Sequence, residues 1–187
     1  MTLSRSDAAG ALRDVELAQA RAGEMRGYRH AGPYLIGWGL IWAVGYVLMA
    51  IRPQSEWGWI WLPLDAAGII GTILLARVQR GKPGMASNGG GGRILLGILF
   101  AALFIAATYI LFAPATVTPF IVFPGLVIGA IYGMIGIAWL PRLGWVGFAI
   151  FALTMVGYLF FRDWILYWMA AVCGGSLMLS GAWLRNA

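Results

Sequence analysis

A single cysteine and a single histidine are all that this chain of 187 residues offers to metal or redox chemistry, and only seven side chains are acidic. Cys173 has no second cysteine with which to form an internal disulfide. A structural zinc site needs several convergent Cys or His ligands, and bis-histidine haem ligation needs two histidines. His30 therefore reads as a solvated residue ahead of an apolar run, and Cys173 as a small packing residue among small neighbours. No Ser-His-Asp or Cys-His set can be assembled, and no two carboxylates lie where they could share acid and base roles. The expectation is a protein that is not an enzyme, with no cofactor and no metal.

Charge is scarce as well. Charged residues make up 11% of the chain and hydrophobic ones 61%, with a mean hydropathy of +0.81. Soluble domains carry about 25% charge. Six apolar runs reach the roughly 20 residues that a helix needs to cross a bilayer: 33–51, 57–76, 94–113, 119–140, 143–161 and 164–184. Runs this long exclude barrel strands, which need only ~9–11 residues. The predicted fold is all-α: an integral membrane domain over 33–187, with six transmembrane helices arranged as three hairpins. A cytoplasmic amphipathic segment over 1–32 precedes it, and a flexible glycine-rich cytoplasmic loop spans 77–93. The Gly32-Pro33 step is the expected start of the first span, since proline is tolerated in a first helical turn.

The net charge of +6 invites a nucleic-acid reading, but its distribution argues against one. Arg5, Arg13, Arg21, Arg26 and Arg29 precede the first run. Arg77, Arg80, Lys82 and Arg93 follow the second, Arg142 the fourth and Arg185 the sixth, and only Arg52 and Arg162 fall in the alternate loops. Eleven of thirteen basic residues on one side follow the positive-inside pattern. Both termini are therefore expected in the cytoplasm of a bacterium, with the chain in its inner membrane. No nucleic-acid partner is expected. The expected partners are the lipid bilayer and either further copies of the chain or another membrane protein.

A faint repeat marks the outer end of each odd-numbered run: Val44-Gly45-Tyr46, Ala107-Thr108-Tyr109 and Val156-Gly157-Tyr158. Each is followed by a short turn and a helix rich in small residues. Three hairpins with proline in the outer turn (Pro53, Pro114) and glycines along the returning helix resemble the HdeD family of small bacterial membrane proteins. The third hairpin lacks that proline, and the resemblance implies no residue roles. The fourth run carries Gly125, Gly129 and Gly133 at four-residue spacing, a flat groove that admits a neighbouring backbone. A helix of the same bundle or a second copy would fill it. The ten tryptophans mostly mark the ends of the runs, as aromatic belts do.

Asp65 is the one ionisable residue well inside an apolar run. Eight residues beyond Trp57, it lies about 12 Å into the second helix. A carboxylate at such depth is costly and by default marks function. One expectation is an outward-facing pocket for a cation, proton or small polar solute, with Asp65 as ligand and Tyr46, Tyr109, Tyr158 and Arg162 as its walls, in a small transporter or channel. The alternatives are a single interhelical hydrogen bond at Asp65 and a non-catalytic membrane subunit that works through protein contacts.

Overall fold

The computed structural model describes residues 5–80 and 90–185, and every regular element among them is helical. In order these are α1 (Arg5–Ile51), a 3-10 turn at Gln54–Glu56, α2 (Trp57–Arg80), α3 (Gly90–Phe112), α4 (Thr118–Ala138) and α5 (Pro141–Phe160). A second 3-10 turn at Arg162–Trp164 leads into α6 (Ile165–Met169), a π-helical stretch at Ala170–Gly175, and α7 (Ser176–Arg185). Five stretches are long and apolar enough to cross a membrane: Leu12–Ile51, Gln54–Gln79, Thr118–Ala138, Pro141–Phe160 and Arg162–Arg185. In α3 the apolar described part is Leu99–Phe112. The exterior carries Phe100, Leu103, Ile110, Leu111, Ile137 and Phe148, each more than 60% exposed. Apolar surface on that scale suits a hydrocarbon solvent and would be a liability in water. The predicted glycine-rich loop falls largely on residues 81–89, outside the described residues, while Gly90–Gly92 already belong to α3.

The expected break at Gly32-Pro33 does not occur. A single helix of 47 residues runs through Pro33, about 70 Å at 1.5 Å per residue. An internal proline forfeits a backbone hydrogen bond. Here α7 packs across that very turn, so tertiary contact keeps the helical phase on both sides. A methyl group on Gly32 would lie 2.8 Å from the Gly181 carbonyl, and one on Gly181 would lie 2.6 Å from the Gly32 carbonyl and 2.7 Å from Ile36 Cγ1. The pattern recurs seven residues away on each helix. A methyl on Gly39 would meet the Gly174 carbonyl at 2.8 Å, and one on Gly174 would meet Ala43 Cβ at 2.6 Å. Two glycines per heptad register, in antiparallel order, let α1 and the last rod meet backbone to backbone. Before Gly27 the described side chains of α1 are all exposed, so this part projects from the bundle.

The second seam joins α4 and α5. A methyl on Gly129 would lie 2.9 Å from the Phe151 amide nitrogen and 3.0 Å from the Gly147 carbonyl. Gly136 abuts Gly144, and Gly147 abuts Gly133. Of the groove predicted at Gly125, Gly129 and Gly133, α5 covers Gly129, while Gly125 takes Met169 and Cys173 together with Thr154 of α5; Gly133 meets α5 through its backbone, and nothing lies within 4 Å of its own methyl position. Both seams run between hairpins. The sequence repeat marks chain segments, but the tightest packing crosses from one segment to the next. By contrast α2 packs on α1 alone among its strong contacts, and α3 on α4 alone.

Candidate functional site

Asp65 belongs to α2, and its surroundings follow from how α2 sits on α1. The side of α2 turned to α1 is set by a ladder of contacts. Trp57 Nε1 donates to the Met49 carbonyl at 3.1 Å, and Trp61 Nε1 to Met49 Sδ at 3.0 Å. The Trp61 ring covers Gly45, and Gly68 receives Trp38 and Ile41. Further along, Trp38 Nε1 donates to Thr72 Oγ1 at 3.1 Å, and Tyr34 Oη to Gln79 Oε1 at 3.1 Å. Indoles and hydroxyls bonded across an apolar interface replace bonds that hydrocarbon cannot supply. Asp65 stands off this ladder, on the exposed side with Leu62 and Ile69. Among the described residues its carboxylate has no hydrogen bond and no ion pair.

The three repeated tyrosines do not join it in one pocket. Tyr46 is 2% exposed and donates its hydroxyl to the Ile121 carbonyl at 2.9 Å. Its ring sits edge-on to Trp42 and Trp61, with centroids 6.0 and 5.5 Å away. Tyr109 donates to the Phe120 carbonyl at 2.8 Å, its ring 4.4 Å from that of Phe120. The reason lies in Pro124. Lacking an N–H, it cannot bond the carbonyl four residues back, which is that of Phe120. Tyr109 from α3 supplies the missing donor, and Tyr46 from α1 bonds the next carbonyl along. Two tyrosines brace the proline-weakened first turns of α4 from two sides.

Tyr158 and Arg162 do come together. The Arg162 guanidinium lies 4.9 Å from the Tyr158 ring centroid, and its Nε donates to the Tyr158 carbonyl at 3.0 Å. This closes the end of α5 and is local to one turn. A cleft of about 200 Å³ adjoins it, lined by Pro119, Val122, Phe123, Leu126, Met155 and Tyr158, almost wholly apolar. A shallower one of about 440 Å³ lies at Leu48, Arg52, Glu56, Trp59 and Ile60, where Arg52 and Glu56 form an ion pair at 3.9 Å. Asp65 lines neither.

Three features were not anticipated from sequence. In the bundle interior, Gly125 makes room for Met169 Cε, Cys173 Sγ and Thr154 Oγ1, each 2.8–3.0 Å from where a methyl group on it would stand. Thr154 is wholly buried, and among the described residues its hydroxyl has no well-aligned hydrogen bond, the Cys173 thiol being the group beside it. Facing this cluster, the last rod widens into its π-helical stretch at Ala170–Gly175, a distortion frequent at functional positions. At the opposite end of α5, the Arg142 guanidinium lies 5.4 Å from the Tyr28 ring centroid and 5.5 Å from that of Trp183. Glycines seven apart on the first and last runs were the readable signal for the first seam. Nothing in sequence pairs Arg142 with Tyr28, 114 positions away. Among the described residues no group of three or more His, Cys, Asp or Glu side chains is placed to hold a metal ion. Comparison with protein-family models, with curated proteins and with solved structures gives no match.

Proposed function

We propose that this chain is a non-catalytic, multi-pass subunit of a bacterial inner-membrane assembly, with both termini cytoplasmic, and that α2 offers Asp65 to a partner helix inside the bilayer. One observation carries the reading: a carboxylate about 12 Å along a helix that faces outward, with no partner among the described residues. Hydrocarbon does not tolerate such a group, which belongs against protein or a water-filled cavity. A partner helix bringing a hydroxyl, amide or cationic donor to this level would satisfy it. The crowding of basic residues on alternate loops supports the orientation. Transport through a pocket at Asp65 has less support, since two of the three tyrosine hydroxyls are donated to α4 carbonyls.

The test is mild extraction followed by native mass spectrometry of wild type, Asp65→Asn and Asp65→Ala. The wild type is expected to carry a second subunit, Asp65→Ala to lose it, and Asp65→Asn to keep part of it, because an amide still hydrogen-bonds. A lone wild-type monomer, or a complex indifferent to Asp65→Ala, would overturn the proposal. Solute flux in proteoliposomes that depends on Asp65 would favour transport instead.

A further inference from the structure

The end of the bundle where α1, α5 and α7 meet the α4–α5 turn holds two guanidinium groups that nothing above employs. Arg142 is the second residue of α5, and its backbone N–H donates to the Tyr28 hydroxyl at 3.1 Å. Its guanidinium lies between the rings of Tyr28 and Trp183, at 5.4 and 5.5 Å from their centroids. Arg185 is placed by the glycine seam. Because Gly32 has no side chain, the stem of Arg185 lies against α1, its Cγ 2.6 Å from where a methyl group on Gly32 would stand. Tyr28 and Gly32 are one turn apart on one face of α1, and that face carries the Arg142 guanidinium at Tyr28 and the Arg185 stem at Gly32. Both cations therefore belong to the same end of the bundle.

Aromatic faces attract a cation but do not neutralise it. Neither arginine has a carboxylate partner among the described residues, where the ion pair present joins Arg52 to Glu56 at the far end of α1. Arg29, exposed beside Tyr28, adds a third positive charge. Trp183 is half exposed at this level, as interfacial tryptophans are at headgroup depth. One turn away Leu179 is 74% exposed, which continues the junction into apolar surface.

We propose that this junction binds the phosphate of an anionic phospholipid, with Arg142 and Arg185 as its cationic ligands and the acyl chains running along α7 past Trp183 and Leu179. Guanidinium groups bind phosphate through paired N–H donors. Basic recesses between membrane helices recognise anionic headgroups on the same grounds. The apolar strip beside the cations selects a lipid over a free phosphate. The site stands apart from Asp65 and does not depend on the proposal made for it.

The test is native mass spectrometry of protein exchanged into detergent with equal phosphatidylglycerol and phosphatidylcholine. The wild type is expected to retain phosphatidylglycerol preferentially. Each interfacial cation contributes about fivefold in affinity, so Arg185→Gln should weaken retention about fivefold and Arg142→Gln/Arg185→Gln about 25-fold. Arg52→Gln and Arg162→Gln, at the other end, should leave it unchanged. Arg185 is exposed at the end of α7, so its variant tests the site even where the double variant fails to fold. Equal retention of the two lipids, or an unaltered preference in folded Arg185→Gln protein, would overturn the proposal. Displacement of phosphatidylglycerol by glycerol phosphate at equal concentration would overturn the lipid assignment in favour of a soluble phosphate.

Discussion

Between α4 and α5 glycine brings two backbones into contact, whereas on α2 two of the three glycines face open space and the third, Gly68, receives only side chains of α1. Gly136, Gly144 and Gly147 have another helix where a side chain would be, but nothing lies within 4 Å of the methyl positions of Gly58 and Gly71. Only 6% of the apolar window in α2 is buried inside the chain, against 28% in α4 and 33% in α5. The two regions are similarly apolar in sequence and differ in what covers them. Without a hydrophobic drive between helices in lipid, close packing of small residues does the work of association. The seams have that packing within the chain. On α2, Gly58, Ala66, Ala67, Gly71 and Asp65 are exposed.

The sharpest way to break the comparison is to put bulk into both regions. Gly147→Leu drives a side chain into the α4 backbone and should cost about 3 kcal/mol or more, read as a lower melting temperature or loss of folded protein. Gly71→Leu on α2 should stay within about 0.5 kcal/mol of wild type. Equal effects would mean that the seam is not where stability resides. A smaller effect concerns the brace on α4. Tyr46→Phe leaves the buried Ile121 carbonyl one donor short and should cost about 1–2 kcal/mol. Tyr109→Phe, at the more open edge, should cost about 0.6 kcal/mol. Reversal of that order in denaturant titrations would show that α3 holds the first turns of α4 more firmly than α1 does. Smallest is Thr154→Val, which removes a hydroxyl without a well-aligned bond at constant shape and should be neutral or stabilising by about 1 kcal/mol. A clear loss on calorimetric melting would show that the hydroxyl is bonded, with the Cys173 thiol as its partner.

Helical class and the positions of the apolar helices were legible because hydrocarbon imposes a length that sequence displays directly. The glycine spacing on α4 was legible too, and Gly125 and Gly129 take neighbours there, while the methyl position of Gly133 is open. Element ends were less so. Pro33 reads as a helix start by local rules, and α1 continues through it because α7 packs across that turn. The tyrosine repeat was visible, but its use was not. Tyr109 serves the Phe120 carbonyl, and that requirement comes from Pro124 on another helix.

Sequence by itself determined that the chain is helical, apolar on a membrane scale, and in possession of one carboxylate deep in an apolar run. These are properties of composition and period, which a single strand of sequence carries whole. Tertiary structure alone decided that α5 and the last helical run pack on the glycines of α4, that two tyrosines brace α4, and that Asp65 faces outward on α2. Each of those depends on which helices become neighbours and on their rotation about their axes. That choice is made by contacts between helices, from the glycine seams to the tryptophan ladder of α2, and the period of a single helix does not name its neighbour.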